Sequence, residues 1–479
     1  MGTTVFERQR PAASVIAHSL SETRHRVFWP DDLPDSLRPD RPALRGRRTA
    51  DLVIVGGGYT GLWTALLAKE RDPGRDVVLL ESREVGWAAS GRNGGFCSAS
   101  LTHGLRNGLD RFPAELATLE RLGRENLDGI EDAVARYGID CSFERTGELS
   151  VATAPWQADE LRELPDLAAQ FGGKVEWLDA DQVRAKVASP TYLGGVLDQD
   201  GVAMVDPARL ARGLRAACLS LGVRIHENTP VQGLESDGTG VALRTPYGRL
   251  TARRVALGTN AFPPLLRRQS SYVVPVWDYA LMTEPLTEAQ RTAVGWADRH
   301  GVADSGNLFH YYRVTDDWRI LWGGYDAVYH FGGRTDDRLD RNPETFLRLA
   351  EHFSETFPEL AGLRFTHAWG GIIDTCSRFS AFWGTAKGGR VAYAAGYTGL
   401  GVGASRFAGQ VLLDLLAGEQ TERTALEMVR RKPMPFPPEP VRWAGVELTR
   451  RAVAKADARK GRRGPWLRTL DAVGLGFDS

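Results

Sequence analysis

The sequence predicts an α/β chain, α+β in overall content, in which a parallel sheet built around a βαβ unit is joined to a domain with a mixed, mainly antiparallel sheet. Three observations carry this reading. A short apolar run, Asp51–Val55, leads into a glycine-rich turn, an apolar helical stretch and a second strand, Asp76–Leu80. Farther along, Val273–Thr283, Leu308–Val314 and Trp318–Gly324 have the β-branched and aromatic content of a sheet. The length, 479 residues, calls for more than one core.

Composition bounds the function. Hydrophobic residues make up 42% and charged residues 25%, enough apolar material for a large interior. Lys+Arg and Asp+Glu both total 60, so the formal net charge is zero. That balance lacks the basic excess of a nucleic-acid binder, and no nucleic-acid partner is expected. Cys97, Cys141, Cys218 and Cys376 are far apart and form no CxxC pair, so neither a metal nor a dithiol site is expected. Such isolated thiols suit a reducing compartment. The N-terminus has no charged start followed by an apolar run, and no apolar stretch approaches about 18 residues. The expectation is a cytoplasmic protein with no membrane span.

Residues 1–48 read as an N-terminal leader. Pro30, Pro34, Pro39 and Pro42 break any long element, so the segment should drape over the surface, anchored by Phe28 and Trp29. The pattern then changes. The strand Asp51–Val55 runs into Gly56-Gly57-Gly58-Tyr59-Thr60-Gly61, a GxGxxG match at Gly56, Gly58 and Gly61. Leu62–Ala68 follows as a helix, and the next strand ends at Glu81, twenty residues beyond Gly61. Each part has a physical task. Gly56 permits the tight turn, Gly58 lets the backbone approach a pyrophosphate, and Gly61 lets the helix pack close to the sheet. The helix N-terminus offers free N–H groups to phosphates, and the acid can accept from ribose hydroxyls. GxGxxG alone is weak. Strand, glycines, helix, strand and acid in register are specific for a Rossmann-like dinucleotide site, against an ordinary α/β turn.

That unit does not choose between dinucleotides. The next segment, Val85-Gly86-Trp87-Ala88-Ala89-Ser90-Gly91-Arg92-Asn93-Gly94-Gly95-Phe96, exposes backbone N–H groups through small side chains, as a long pyrophosphate and a flat ring require. Together, GGGYTGL and VGWAASGRNGGF resemble the D-amino-acid/glycine/sarcosine oxidase superfamily of FAD-dependent oxidoreductases, on the gamma-glutamylputrescine oxidase branch. Tyr311–Val314, Arg319–Gly324, Trp369-Gly370-Gly371 and Gly396–Val402 extend the resemblance over most of residues 50–420. It implies a glutathione-reductase-type two-domain flavoprotein. It also implies that FAD contacts Gly56, Gly58, Tyr59, Thr60, Gly61, Glu81 and Ser82, then Ala89, Ser90, Arg92, Asn93, Gly94, Gly95 and Phe96. Val231, Gly258, Asn260 and Gly370 are carried over as well, with Thr398, Gly399, Leu400, Gly401 and Val402. The last group precedes a helix, Ser405–Leu416, whose N-terminus favours the negative charge of a reduced flavin; a glycine-rich turn before a packing helix is the plainer alternative.

The implied division is a discontinuous FAD-binding domain (49–105, 195–265 and 365–420), a substrate domain (106–194 and 266–364) and a C-terminal tail (421–479). Phe143–Val151 is read as a strand of the substrate domain. Short strands are expected at Val223–His226, Val231–Leu234, Val241–Leu243 and Arg254–Leu257. Asp206 and Pro207 read as the N-cap and first residue of a helix. The tail is Pro-rich, then basic and helical over Val441–Arg468, with Trp443 and Trp466 as anchors; packing on its own chain or on a dimer mate, which allows a homo-oligomer, is favoured over binding an anionic membrane surface or a partner protein.

The expected reaction is FAD-dependent oxidation of a C–N bond in a small amine or amino acid. Hydride passes to flavin N5, the imine hydrolyses, and O2 or another acceptor reoxidises the flavin, O2 giving H2O2. No protein nucleophile or metal is needed. Candidates for the substrate pocket are Arg313, Tyr312, His310 and Trp369. Arg313 can pair with a carboxylate or stand in an edge-strand salt bridge. Alternation puts Tyr312 on the face opposite Tyr311 and Arg313. His310 and His367 are more often structural than titrating. Relatives that attach FAD covalently use a cysteine near the position of Gly371, so a non-covalent flavin is expected. Two other readings stay open: an NADPH-dependent flavin monooxygenase, and a non-catalytic flavin-binding protein.

Overall fold

The computed structural model describes residues 4–7, 11–34, 42–236, 240–472 and 474–475. The run Asp51–Val55 forms the end of a longer strand, Gly46–Val55, whose last residues are buried on both faces. It lies between Val77–Leu80 and Gly248–Leu257, parallel to both, with Leu52 opposite Val77 and Arg254. The order across this first sheet is 382–386, 391–395, 248–257, 46–55, 77–80 and 224–226, with 241–244 and 233–236 continuing as a hairpin off 248–257. Strands apolar in continuous runs are what a sheet covered on both faces requires. One face is covered by the helices Tyr59–Arg71, Pro207–Ser220 and Gly401–Ala417, whose buried side chains join one core cluster. The mixed α/β architecture and the Rossmann-like sheet are as the sequence predicts.

The second sheet runs 365–375, 274–283, 320–324, 310–314, 301–304, 148–152, 194–198 and 175–179. Its ladders are antiparallel except between 301–304 and 148–152. The helix Pro343–Thr356 covers one face, where Tyr312 meets Phe357 and Trp322 meets Phe353 edge to face. The opposite face turns toward the first domain.

Several boundaries differ from expectation. Gly194–Asp198 and Phe365–Thr375 are strands of the second sheet, so 195–198 and 365–375 do not join the first. Phe365–Thr375 pairs along its length with Val274–Thr283, and that long ladder outweighs the chain proximity of the glycines at 396–403. The first strand begins at Gly46, inside the expected leader. Phe143–Val151 starts its ladder only at Glu148, because Gly147 adopts φ +77°. Val231–Leu234 forms at Gly233–Ser236 instead, and Trp318 lies in a left-handed turn ahead of Ile320–Gly324.

The leader forms a helix, Ala13–Leu20, and buries Phe28 and Trp29 to 5% and 2% exposure; the break expected at Pro39 lies outside the described residues. The tail helices Val441–Asp457 and Pro465–Ala472 pack on their own chain around Leu308, and Trp466 donates to Thr449 Oγ1. Trp443, expected as an anchor, is 40% exposed and meets an exposed Phe331 edge to face. Among the described residues, no helix is long and apolar enough to cross a membrane.

Candidate active site

The βαβ turn sets the first wall of the site. Gly56 has φ +107°, and a Cβ there would collide with Gly258 O just past the neighbouring strand. Gly58 caps the helix Tyr59–Arg71 without a side-chain bond, and Tyr59 N donates to Ser90 Oγ at 3.0 Å. Glu81, at the end of the second strand, receives Gly57 N on Oε2 at 2.6 Å, and Ser82 Oγ, Arg83 N and Trp87 Nε1 on Oε1 at 2.8–2.9 Å. The acid thus ties the glycine turn to the loop 85–96 while bordering the same space.

That loop is held from both domains. Arg92 donates to Trp87 O at 3.0 Å and to Gly370 O at 2.9 Å, and Trp369 Nε1 donates to Arg92 O at 2.9 Å. Asn93 donates to Ala89 O and accepts from Gly95 N, and Trp29 of the N-terminal segment donates to Asn93 O. At the opposite wall, the helix Gly401–Ala417 starts with no side-chain cap, and its first residues, Gly401 and Val402, line the cavity. Tyr397 Oη and Thr60 Oγ1 join this end to the glycine turn at 2.6 Å. Asp374 Oδ2 accepts from Gly396 N at 2.6 Å, and burial pushes its carboxyl up to about 7.

These walls enclose one cavity of about 1060 Å³ that passes from the glycine turn to the face of the second sheet. Ligand pockets usually span roughly 300–1,000 Å³, so the space suits a dinucleotide with a small molecule beside it. The residues present fit FAD: a glycine turn in which backbone blocks any Cβ at Gly56 and Gly61, an uncapped helix N-terminus, and a loop rich in small residues between them.

Of the residues expected to contact the cofactor, all but Gly61, Gly95 and Gly370 line the cavity. Those three lie one step back. A Cβ at Gly61 would clash with Gly56 O, one at Gly95 with Val205 O, and the Gly370 carbonyl holds Arg92.

The expected substrate residues fare differently. Trp369 lines the cavity, whereas Arg313, Tyr312 and His310 do not. Arg313 is buried, donates to Val205 O at 2.7 Å, and has its pKa lowered to about 10 by that burial. Tyr312 points to the helix-covered face, where it pairs with Tyr192 Oη at 2.7 Å. His310, two residues away on that face, sits between Asp304 Oδ2 at 2.7 Å and His352 Nδ1 at 3.0 Å. His367 is structural, bonded to Asp31 and Thr366. Cys97 and Cys376 are buried and outside the cavity lining.

Sequence reasoning passed over several lining residues. Trp87 stacks under Arg83, whose Cζ is 4.1 Å from the ring centroid. Asp278 and Tyr311 form a hydrogen-bonded pair on the second sheet. Glu148 and Asp198 face each other across a ladder in a far arm, where burial first, and then the Asp198 charge, pushes Glu148 up to about 7. Gly461 and Arg463 bring the tail to the same arm. One signal was available: Asp278 is a lone charge inside an apolar run, VVPVWDYALM.

Comparison with known proteins agrees with this geometry. The family described as "FAD dependent oxidoreductase" (DAO) matches residues 51–415. Gamma-glutamylputrescine oxidoreductase of Escherichia coli is 33% identical over 405 residues, covering 81% of this chain and 88% of the relative. Glycine oxidase of Geobacillus kaustophilus is 26% identical over 330 residues, 67% of this chain and 80% of that one. A crystal structure of glycine oxidase from Geobacillus kaustophilus superimposes with a TM-score of 0.68 at 22% identity, covering 80% of this chain and 99% of that one, which shows a shared fold.

Proposed function

We infer the reaction from one premise: this chain belongs to the DAO family of FAD-dependent oxidoreductases. The reading is oxidation of a C–N bond in a small amine or amino acid. One observation carries it: the glycine turn and the face of the second sheet border a single cavity, so cofactor and substrate spaces adjoin. The names of the relatives, which act on gamma-glutamylputrescine and glycine, support nitrogen as the atom beside the oxidised carbon.

Bound FAD supplies the acceptor for two electrons from the C–H bond next to nitrogen. The chain's own residues do the rest. Gly56–Thr60 and the first turn of Gly401–Ala417 would hold the pyrophosphate and the electron-rich edge of the ring. Ala89–Phe96, clamped by Trp369 and Trp29, would position the ring beside the second sheet. The two sheets exclude water and orient the substrate carbon. The oxidised substrate leaves as an imine, which water converts to a carbonyl compound and an amine. O2 is the simplest final acceptor, giving H2O2. With glycine at 371 and both nearby thiols buried in the core, the flavin is held without a covalent bond.

The reading is tested by incubating the FAD-loaded protein in air with gamma-glutamylputrescine, glycine and their N-methyl derivatives. The expected result is O2 uptake matched by H2O2 and a carbonyl product from one of them. Oxygen uptake only with NADPH would replace this reading with a monooxygenase.

A further inference from the structure

The cavity-facing side of the second sheet is mostly apolar, with Val276, Ala280, Ala303 and Trp369 on it. Asp278 and Tyr311 interrupt it. Tyr311 Oη donates to Asp278 Oδ2 at 2.6 Å, and both side chains border the cavity. They stand on different strands, Val274–Thr283 and His310–Val314, with Ile320–Gly324 between. Glycines make the reach feasible. Gly323 lies opposite both Tyr311 and Ala280, and a Cβ there would be 2.7 Å from the Tyr311 ring. A Cβ at Gly94, in the loop assigned to the flavin ring, would be 2.8 Å from the same ring. Directly across the ladder from Asp278 is Gly371, where an added Cβ would meet only Arg92 Cβ at 3.7 Å. A hydrogen-bonded carboxylate therefore sits beside a side-chain-free space, next to the loop that takes the ring.

We propose that Asp278 receives the substrate nitrogen and takes a proton from its ammonium form, with Tyr311 as the positioning residue. The inference rests on the amine-oxidation reading. In this step an N–H bond of the ammonium breaks and an O–H bond forms on Asp278. The carboxylate becomes a carboxylic acid, the amine becomes neutral, and no electrons are exchanged with the cofactor. The freed lone pair then assists departure of hydrogen with its electron pair from the neighbouring carbon.

The surroundings suit a proton acceptor. Burial pushes Asp278 up to about 6, Tyr311 pulls it down through its hydrogen bond, and the nearby charge of Asp326 pushes it up. Asp326 is itself held by Arg348 and by Thr345 Oγ1. The other charged groups around this part of the cavity are Arg92, paired with Asp340 at 3.7 Å, and Asp374 on the strand Phe365–Thr375. Asp278 is thus ionised at neutral pH and more basic than an ordinary aspartate.

The test compares FAD-loaded wild type, Asp278→Asn and Tyr311→Phe, each first checked for an unchanged visible flavin band. The acidic limb of kcat/KM for gamma-glutamylputrescine should lie near pH 6 in wild type. Asp278→Asn should lower kcat/KM at pH 7.5 by roughly 100-fold or more. It should also move the limb toward the substrate's own ammonium, about 10 for an alkyl amine. Tyr311→Phe should move the limb above its wild-type position, since the hydrogen bond that favours the carboxylate is gone. A limb that stays in place in Asp278→Asn, whatever the rate, would overturn the proposal. tert-Butylamine, which has no hydrogen on the carbon beside nitrogen, gives a second readout through perturbation of the flavin band. Its affinity should drop at least tenfold in Asp278→Asn, and equal affinity would overturn the proposal. If gamma-glutamylputrescine reduces no flavin even in wild type, the substrate reading fails, and the tert-butylamine titration alone decides the role of Asp278.

Discussion

Gly61 lines no part of the cavity, yet its missing side chain sets how closely the helix Tyr59–Arg71 approaches the first strand. An added Cβ would run into Gly56 O and lie 3.2 Å from Ile54 Cγ2. Backbone cannot yield as a flexible side chain can, so the helix N-terminus must shift away from the turn. Gly61→Ala should therefore cost about 2 kcal/mol of stability. More tellingly, the purified variant should carry well under half the flavin per chain of wild type. Full flavin occupancy with an unchanged melting temperature would show that the helix does not depend on this approach. The glycine turn was readable in the sequence because its geometry is local: a turn, a helix start and a close approach all fall within six residues. Asp278 was not readable in the same way. Its partner is 33 residues away, and only the register of three strands brings Tyr311 across Gly323 to meet it.

At the scale of elements, the tail shows how a segment outside the matched family region is bound to the rest. Asp457, at the end of the helix Val441–Asp457, accepts from Asn307 N at 3.1 Å, Asn307 Nδ2 at 2.6 Å and Leu308 N at 3.1 Å. Asn307 borders the cavity, as do Gly461 and Arg463 just beyond the helix. Asp457→Ala would leave these donors unpaired and should cost about 1–3 kcal/mol. Limited proteolysis should then cut the chain between 430 and 475 faster than in wild type, while the flavin band stays in place. Unchanged cleavage would mean that the apolar cluster of Val453, Ala456 and Leu467 holds the tail alone. The periodicity of a helix was legible here, but its partner surface was not. Trp443 looks like an anchor by residue type and is exposed, because the face that packs is set by Leu308 on a distant loop. Domain membership failed for a related reason. The ranges 195–265 and 365–420 are expected whole in the FAD-binding domain, but ladder pairing, a long-range property, places Gly194–Asp198 and Phe365–Thr375 in the second sheet.

In the whole molecule, two sheets built from interleaved stretches of chain meet around one cavity. The first sheet brings its glycine turn to the cavity, and the second brings a mostly apolar face on which Asp278 and Tyr311 form a hydrogen-bonded pair. Alternation along His310–Val314 decides which residues reach that face. It turns Tyr311 to the cavity, while His310 and Tyr312 enter the core beneath the helix Pro343–Thr356. The N-terminal segment fastens the arrangement through Trp29 on the ring loop. The central claim is that this cavity brings a small amine against bound FAD. An anaerobic titration of the yellow protein with gamma-glutamylputrescine, simple amines and amino acids, followed by the visible absorbance of oxidised flavin, tests it most directly. Stoichiometric loss of that band with an amine carrying hydrogen on the carbon beside nitrogen is the predicted result. A flavin that every such compound leaves oxidised, while NADPH bleaches it, would contradict the account.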